Sequence, residues 1–137
     1  MLISTRGTYA LRVLIDLAQH DGDNYIPMKE IAERQGISLK YLEQIVPALS
    51  KNGFIKGVHG KGGGYRLVKD PEECCIGDVL RLTEGDLAPV SCLEHGEDCG
   101  KSCNCSTSPL WSDFNKVVNN YFDGITLSDL MKEEVKE

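Results

Sequence analysis

Residues 27–53 read PMKEIAERQGISLKYLEQIVPALSKNG and predict two short helices joined by a tight turn. Pro27 suits the start of a helix, where its missing amide hydrogen costs little. Gly36 can adopt the left-handed conformation that ends the first helix, and Ser38 can cap the second. Two short helices around a glycine-containing turn form a helix-turn-helix.

The second helix of this pair has one apolar side and one polar side. The apolar positions recur at helical spacing and predict the buried side: Leu42, Ile45, Val46 and Leu49. The opposite side carries groups that can contact a ligand: Lys40, Tyr41, Glu43 and Gln44. Pro47 removes one backbone donor and crowds the carbonyl of Glu43, so we expect the helix to bend or end early there.

An amphipathic helix precedes the pair. Ser4 or Thr5 can cap it, and its apolar positions recur at helical spacing: Leu11, Leu14, Ile15 and Ala18. Arg12, Asp16 and His20 interrupt this apolar stretch, which therefore resembles neither a signal peptide nor a membrane span. We expect a cytoplasmic protein without a membrane segment.

A hairpin follows the pair. Residues 54–58 and 65–68 predict two strands on either side of a glycine-rich tip, HGKGGG at residues 59–64. Lys61 is followed by glycines and a strand, whereas a phosphate-binding P-loop needs Ser or Thr and a helix there. Beside a helix-turn-helix such a hairpin is a wing, in which Lys61 and Arg66 add positive charge near phosphates. A flexible hairpin without a ligand is the alternative.

The charge of the chain is unevenly distributed. Its 137 residues carry a net charge of −6 and suit one compact domain with an appended element. Residues 1–69 hold ten Lys and Arg and six Asp and Glu, a net +4, so the remainder carries −10. Because the field at a surface depends on local charge, an acidic chain of this kind can present a basic face to a polyanion. Scattered charges on solvated faces would give the same count.

The second half of the chain predicts two further helices. Val79, Leu80 and Leu82 indicate a short packing helix, preceded by Cys75, expected in the core, and Cys74, expected at the surface. A longer helix follows with a wide apolar face: Leu110, Trp111, Phe114, Val117, Val118, Tyr121 and Phe122. A face this wide is typical of core packing or subunit contact. No nucleophile paired with a base and no cofactor fingerprint is recognisable, so an enzyme is not expected.

Four cysteines lie in a polar segment between these two helices. Residues 91–105 read SCLEHGEDCGKSCNC and contain Cys92, Cys99, Cys103 and Cys105. Thiols in such a segment gain little from burial, so we expect them to converge on a soft inorganic centre, an iron–sulfur cluster or a metal ion. Zinc, a disulfide switch at Cys103 or Cys105, and thiols without a ligand remain as alternatives.

These residues together resemble the Rrf2 family of bacterial winged-helix regulators, and within it the iron–sulfur cluster regulator branch. The similarity rests on residues 31–44, 51–53 and 62–65 and extends over residues 1–130. The resemblance implies an α+β, mainly α fold with a winged helix-turn-helix domain at residues 1–70. Residues 71–137 would then hold a short helix, a Cys-rich cluster-binding loop at 91–108 and a long dimerisation helix.

The resemblance also implies a DNA-binding transcription regulator, most simply a repressor. A homodimer would place one recognition helix per subunit in successive major grooves of a double-stranded DNA operator, with each wing at a minor groove. Gln44 can pair with an adenine edge, and Glu43 can select a cytosine amino group. The full set expected at DNA is Ser38, Lys40, Tyr41, Glu43, Gln44, His59, Lys61, Gly62 and Arg66.

Cluster-binding members of this branch hold a [2Fe-2S] cluster with three cysteines and a histidine just before a Leu-Trp pair. Counting back from Leu110 and Trp111 matches Cys92, Cys99 and Cys105, but Ser108 stands where the histidine would be. We therefore expect a cluster held by four thiolates, with His95 as the reserve ligand: Cys92, Cys99, Cys103 and Cys105. A regulator of cysteine or sulfur metabolism without a cluster is the alternative, as is a zinc or thiol switch in the same loop.

Overall fold

The computed structural model describes residues 3–20, 24–88 and 106–132. Within these ranges the chain forms a mainly helical fold with one two-stranded sheet. The elements in order are α1 (Thr5–Gln19), α2 (Met28–Gln35), α3 (Leu39–Lys51), β1 (Ile55–Val58), β2 (Gly64–Leu67), α4 (Ile76–Glu84), α5 (Ser108–Asp123) and α6 (Leu127–Lys132). The predicted fold class is confirmed. The segment with the four cysteines and His95 lies outside the described residues.

α1 is the central helix of the core. Ser4 caps it as predicted, because the Ser4 hydroxyl accepts a hydrogen bond from the Gly7 amide at 3.3 Å. The carboxylate of Glu84, at the end of α4, in turn accepts hydrogen bonds from the amide and hydroxyl of Ser4, at 2.9 and 2.6 Å. Buried side chains of α1 share one core with others from both halves of the chain: Val13, Leu14, Leu17, Ile31, Leu42, Val79, Leu80 and Leu127.

α2 and α3 form the predicted helix-turn-helix. Gly36 ends α2 in the left-handed conformation, at φ 65°. Ser38 then caps α3, since its hydroxyl accepts from the Tyr41 amide at 3.1 Å. These two local interactions fix the turn between the helices.

α3 does not end early at Pro47, so that part of the prediction is wrong. The helix continues to Lys51. Val46 and Leu49, on either side of the proline, are completely buried and hold the last turn against the core. Pro47 itself lies on the exposed side, where water can satisfy the carbonyl that lost its donor. Tertiary packing therefore overrides the local preference.

The wing is an antiparallel hairpin attached to the segment before α2. Ile55 pairs with Leu67 and Val58 with Gly64. Tyr65 and Ile26 exchange two backbone hydrogen bonds of 2.8 Å, which place β2 against that segment. Gly64 has φ 153°, and a Cβ atom there would lie 2.4 Å from the Ile26 carbonyl, so only glycine fits this attachment.

The two adjacent cysteines before α4 have the opposite placement from the one expected. Cys74 is buried, at 2% exposure, whereas Cys75 is partly exposed at the start of α4. The segment is extended there and pairs with Thr126, which turns the Cys74 side chain into the core. Burial raises the pKa of the Cys74 thiol to about 11, so this cysteine stays protonated at neutral pH.

Candidate nucleic-acid interface

The exposed side of α3 carries the predicted recognition residues. Lys40, Glu43 and Gln44 are exposed. The opposite side is buried in the core, as the apolar spacing predicted: Leu42, Ile45, Val46 and Leu49. A helix with this division presents polar groups outward from a rigid support, which is the arrangement that base recognition in a major groove requires.

Tyr41 is placed differently from the other recognition residues, because its ring is half-buried against α1. The rings of Tyr41 and Tyr9 meet edge to face, with centroids 5.3 Å apart and an interplanar angle of 76°. The Arg12 guanidinium lies 5.2 Å from the Tyr9 ring centroid on the same helix. No sequence motif marks Tyr9, so its contact with Tyr41 was not predicted.

A buried carboxylate stabilises the geometry of the helix-turn-helix. Asp16 of α1 is fully buried and accepts hydrogen bonds from Arg34, at 2.8 and 3.0 Å, and from the side-chain amide of Gln35, at 2.9 Å. Arg12 donates to the side-chain oxygen of Gln35 at 3.2 Å and also to the Gln35 backbone carbonyl. These bonds join α1 to the last residues of α2, immediately before the turn at Gly36.

The ionisation of Asp16 reflects two opposing effects. Burial favours the neutral acid and raises its pKa, but the hydrogen bonds from Arg34 and Gln35 and the charge of Arg34 outweigh burial and bring the pKa below its usual value. The same pairing raises the pKa of Arg34. In the sequence Asp16 appears only as an interruption of an apolar stretch, and no motif indicates this structural role.

The tip of the wing carries three of the predicted contacts, His59, Lys61 and Gly62, and the fourth, Arg66, lies further back along the hairpin. His59 and Lys61 are exposed at the tip, where Gly60 and Gly62 have φ values of 97° and 78°. Arg66 is partly buried on β2, with its guanidinium 5.8 Å from the Tyr25 ring centroid. β1 packs against α3, so the hairpin is held beside this helix.

α5 has a second exposed surface, and it is apolar. Four side chains, each three or four residues from the next, are 40–66% exposed and form what we call the α5 stripe: Leu110, Phe114, Val117 and Tyr121. Val118 and Phe122 lie on another side of the helix and pack against the core. An exposed apolar stripe of this length on a 16-residue helix is typical of a subunit interface.

One group of three possible metal ligands occurs among the described residues, but its two carboxylates are already paired with an arginine. Cys75, Asp78 and Asp123 offer ligand atoms within 4.8 Å of one another. Arg81 donates to both oxygens of Asp123, at 2.8 and 2.9 Å, and lies 3.5 Å from Asp78. Hydrogen bonds from Arg81 hold the pKa of Asp123 below its usual range. This group is therefore an ion-pair cluster that joins α4 to α5, and it does not replace the predicted cysteine ligands.

A helix-turn-helix with an attached wing defines a winged-helix DNA-binding protein. The chain belongs to the Rrf2 family, whose family model, described as an iron-dependent transcriptional regulator, matches residues 3–133. The protein is thus a transcriptional regulator, and nothing in its relatives indicates catalytic activity. Among the described residues, no helix has the length and apolar character needed to cross a membrane.

Known relatives and solved structures agree with this assignment. The chain is 38% identical over 133 residues to the HTH-type transcriptional regulator IscR of Vibrio campbellii, covering 97% of this chain and 79% of that protein. It is similar to CymR, the global cysteine regulator of B. subtilis, at a TM-score of 0.79, 34% identity and 98% coverage of both chains. It is also similar to T. potens IscR, at a TM-score of 0.77 and 34% identity, covering 100% of this chain and 94% of that one.

Proposed function

We propose that this protein is a homodimeric, cytoplasmic repressor that binds a double-stranded DNA operator and responds to a [2Fe-2S] cluster. The observation that carries the DNA-binding part is the exposed polar side of α3 beside the wing. The family assignment supports transcriptional regulation. The cluster rests on the chemistry of the cysteine segment and on the similarity to proteins named IscR.

The proposed DNA contacts divide into positioning contacts and base contacts. Ser38, Lys40 and Tyr41 contact phosphate and sugar at the start of α3. Glu43 accepts from a cytosine amino group, and Gln44 pairs with adenine in the major groove. The wing residues His59, Lys61, Gly62 and Arg66 contact phosphates and the adjoining minor groove.

Lys61→Ala and Gln44→Ala are expected to weaken DNA binding in different ways. Lys61→Ala should reduce affinity equally for operator and random duplexes and lower the slope of log affinity against log salt by about one, because a phosphate contact is lost. Gln44→Ala should cost about 1–3 kcal/mol on the operator and relax the preference for one base pair. Fluorescence anisotropy titrations at several salt concentrations measure both quantities.

Lys132→Ala is the matched control, since it removes the same charge from an exposed position on α6. It should leave both the affinity and the salt slope unchanged. An equal loss on operator and random duplexes for Gln44→Ala would remove this residue from base recognition.

The proposed homodimer is supported by the α5 stripe. A symmetric pair of such stripes buries apolar surface from both subunits in one interface. Such a symmetric dimer has a twofold axis between its subunits. Its two recognition helices would reach major grooves about 34 Å apart, one helical turn of DNA. The operator is therefore expected to be an approximate palindrome.

The proposed cluster ligands are Cys92, Cys99, Cys103 and Cys105, with His95 in reserve. Ser108 begins α5 at the position where cluster-binding relatives would have a histidine, and a serine hydroxyl is a poor ligand for iron. Four thiolates would make the cluster more negative than a set with a nitrogen ligand and lower its reduction potential. Because the cysteine segment leads directly into α5, a change in cluster state can alter the dimer and so the spacing of the two recognition helices.

Anaerobic purification followed by a visible spectrum and analysis of iron, sulfide and zinc tests the cluster. We expect a brown protein with equal amounts of iron and sulfide, and loss of colour and iron when all four loop cysteines are replaced by alanine. Cys75→Ser is the control, because this partly exposed thiol lies outside the proposed site and should leave the spectrum unchanged. A colourless protein containing zinc would overturn the cluster and favour a zinc site in the same loop.

A regulator of cysteine or sulfur metabolism without a cluster is the second candidate. Its support is the structural similarity to CymR, which extends over nearly the whole of both chains. Operator binding that is unaffected by iron removal but changes with cysteine or a cysteine precursor would favour this function. A response that follows a disulfide between loop cysteines would instead indicate a thiol switch.

A further inference from the structure

Leu39 is an exposed apolar residue at the start of α3, next to the polar residues Lys40 and Glu43. It is the first residue of the helix and 43% exposed, and it is not among the hydrophobic side chains that pack in or against the core. Leu39 and Glu43 are four residues apart, so they lie on the same strip of the helix surface, one turn from each other. The start of a recognition helix is the part that reaches base edges.

Other exposed large hydrophobic residues lie elsewhere in the described parts of the chain: Ile3, Val58, Val68, Leu110, Phe114, Val117 and Tyr121. Four of these form the α5 stripe, and Val58 and Val68 belong to or follow the hairpin strands. Leu39 belongs neither to the α5 stripe nor to the hairpin. Capping of α3 is performed by Ser38, so Leu39 has no local role that requires a large apolar side chain.

We infer that Leu39 determines specificity by packing against the C5-methyl group of a thymine in each operator half-site. The inference rests on the proposed DNA-binding function. The major-groove edges of the bases are mostly hydrogen-bonding groups, and the thymine methyl is the apolar group among them. Leucine cannot exchange hydrogen bonds with a base, so a contact from Leu39 would favour thymine through removal of apolar surface from water.

Uracil substitution isolates this contact, because uracil keeps the base pairing of thymine and lacks only the methyl group. A duplex selected by the purified protein from a random library provides the operator probe. Each thymine in turn is then replaced by uracil in both half-sites, and affinity is measured for the unaltered protein and for Leu39→Ala. We expect one position where uracil weakens binding of the unaltered protein by about threefold to fourfold per half-site, as for burial of one methyl group.

At that same position Leu39→Ala should bind thymine and uracil duplexes almost equally. Val68→Ala is the control: it trims an apolar side chain that is 53% exposed and follows β2, outside α3, and should retain the full uracil effect. Equal uracil effects in the Leu39→Ala and unaltered proteins would overturn the inference, as would the absence of any sensitive position. A selection that enriches no sequence would instead overturn the proposed function, and the inference with it. Melting curves verify that Leu39→Ala remains folded.

Discussion

Val117→Glu is expected to dissociate the dimer and reduce operator affinity by more than about 100-fold, since a carboxylate buried without a partner costs several kcal/mol. Val117 is 66% exposed in the described chain and lies within the α5 stripe. A second copy of the stripe would cover this position, and the glutamate would then lose its water. Sedimentation velocity measures the oligomeric state, and anisotropy with an operator duplex measures the affinity.

Gln19→Glu is the matched control for this variant. It introduces the same charge at an exposed position on α1, outside α5. The control should remain dimeric and bind the operator normally. If Val117→Glu behaves like the control, the α5 stripe is not the dimer interface.

Asp16→Ala is expected to lower the free energy of unfolding by about 2–4 kcal/mol, because the side chains of Arg34 and Gln35 lose the buried acceptor that joins them to α1. The loss of stability should be smaller than for an ion pair with both partners buried, since the Arg34 side chain is 32% exposed and can still reach water. Operator affinity should fall as well, because these bonds hold the turn before α3. Urea denaturation followed by circular dichroism gives the stability.

Glu30→Gln provides the comparison, since Glu30 contacts the same arginine but is 56% exposed and 3.5 Å away. An exposed pair of this kind contributes at most about 1 kcal/mol. A loss for Asp16→Ala as small as that for Glu30→Gln would show that the buried network does not stabilise the fold.

The Asp16 network also predicts how stability depends on pH. The pKa of Asp16 is lowered in the folded state, so the unfolded chain takes up this proton first as the solution becomes acidic. The contribution of Asp16 to stability is complete above the ordinary pKa of aspartate, and it is lost as the pH falls through the pKa of Asp16 in the folded state. The unaltered protein should therefore lose stability more steeply than Asp16→Asn in this acidic range, which denaturation at a series of pH values can measure.

The sequence predicted those parts of the fold that depend on neighbouring residues. The buried stripe of α3 follows from its helical spacing, and the turn follows from Gly36 and Ser38, all within one short segment. Pro47 was misjudged because distant core contacts keep the helix intact. The placement predicted for Cys74 and Cys75 is wrong because the pairing of Cys75 with Thr126, about 50 residues away, determines which of the two side chains faces inward.

The candidate interface was likewise predictable only where neighbouring residues of one helix determine it. The exposure of Lys40, Glu43 and Gln44 follows from periodicity within α3, but the support beneath them does not. Asp16 and Arg34 are 18 residues apart and belong to different helices, so no repeating pattern connects them. The DNA contacts and the cysteine ligands remain predictions, and the ligands lie outside the described residues.

The attachment of the wing at Gly64 affects how the protein would associate with DNA. Because a reciprocal pair of backbone bonds joins Tyr65 of β2 to Ile26 close to the tip, the strands of the hairpin are already in place before an operator arrives. Only the tip must then give up conformational freedom in the complex, so the entropic penalty of association is small for this contact. A larger residue at position 64 would loosen this attachment and weaken association with DNA, although it would remove no charge.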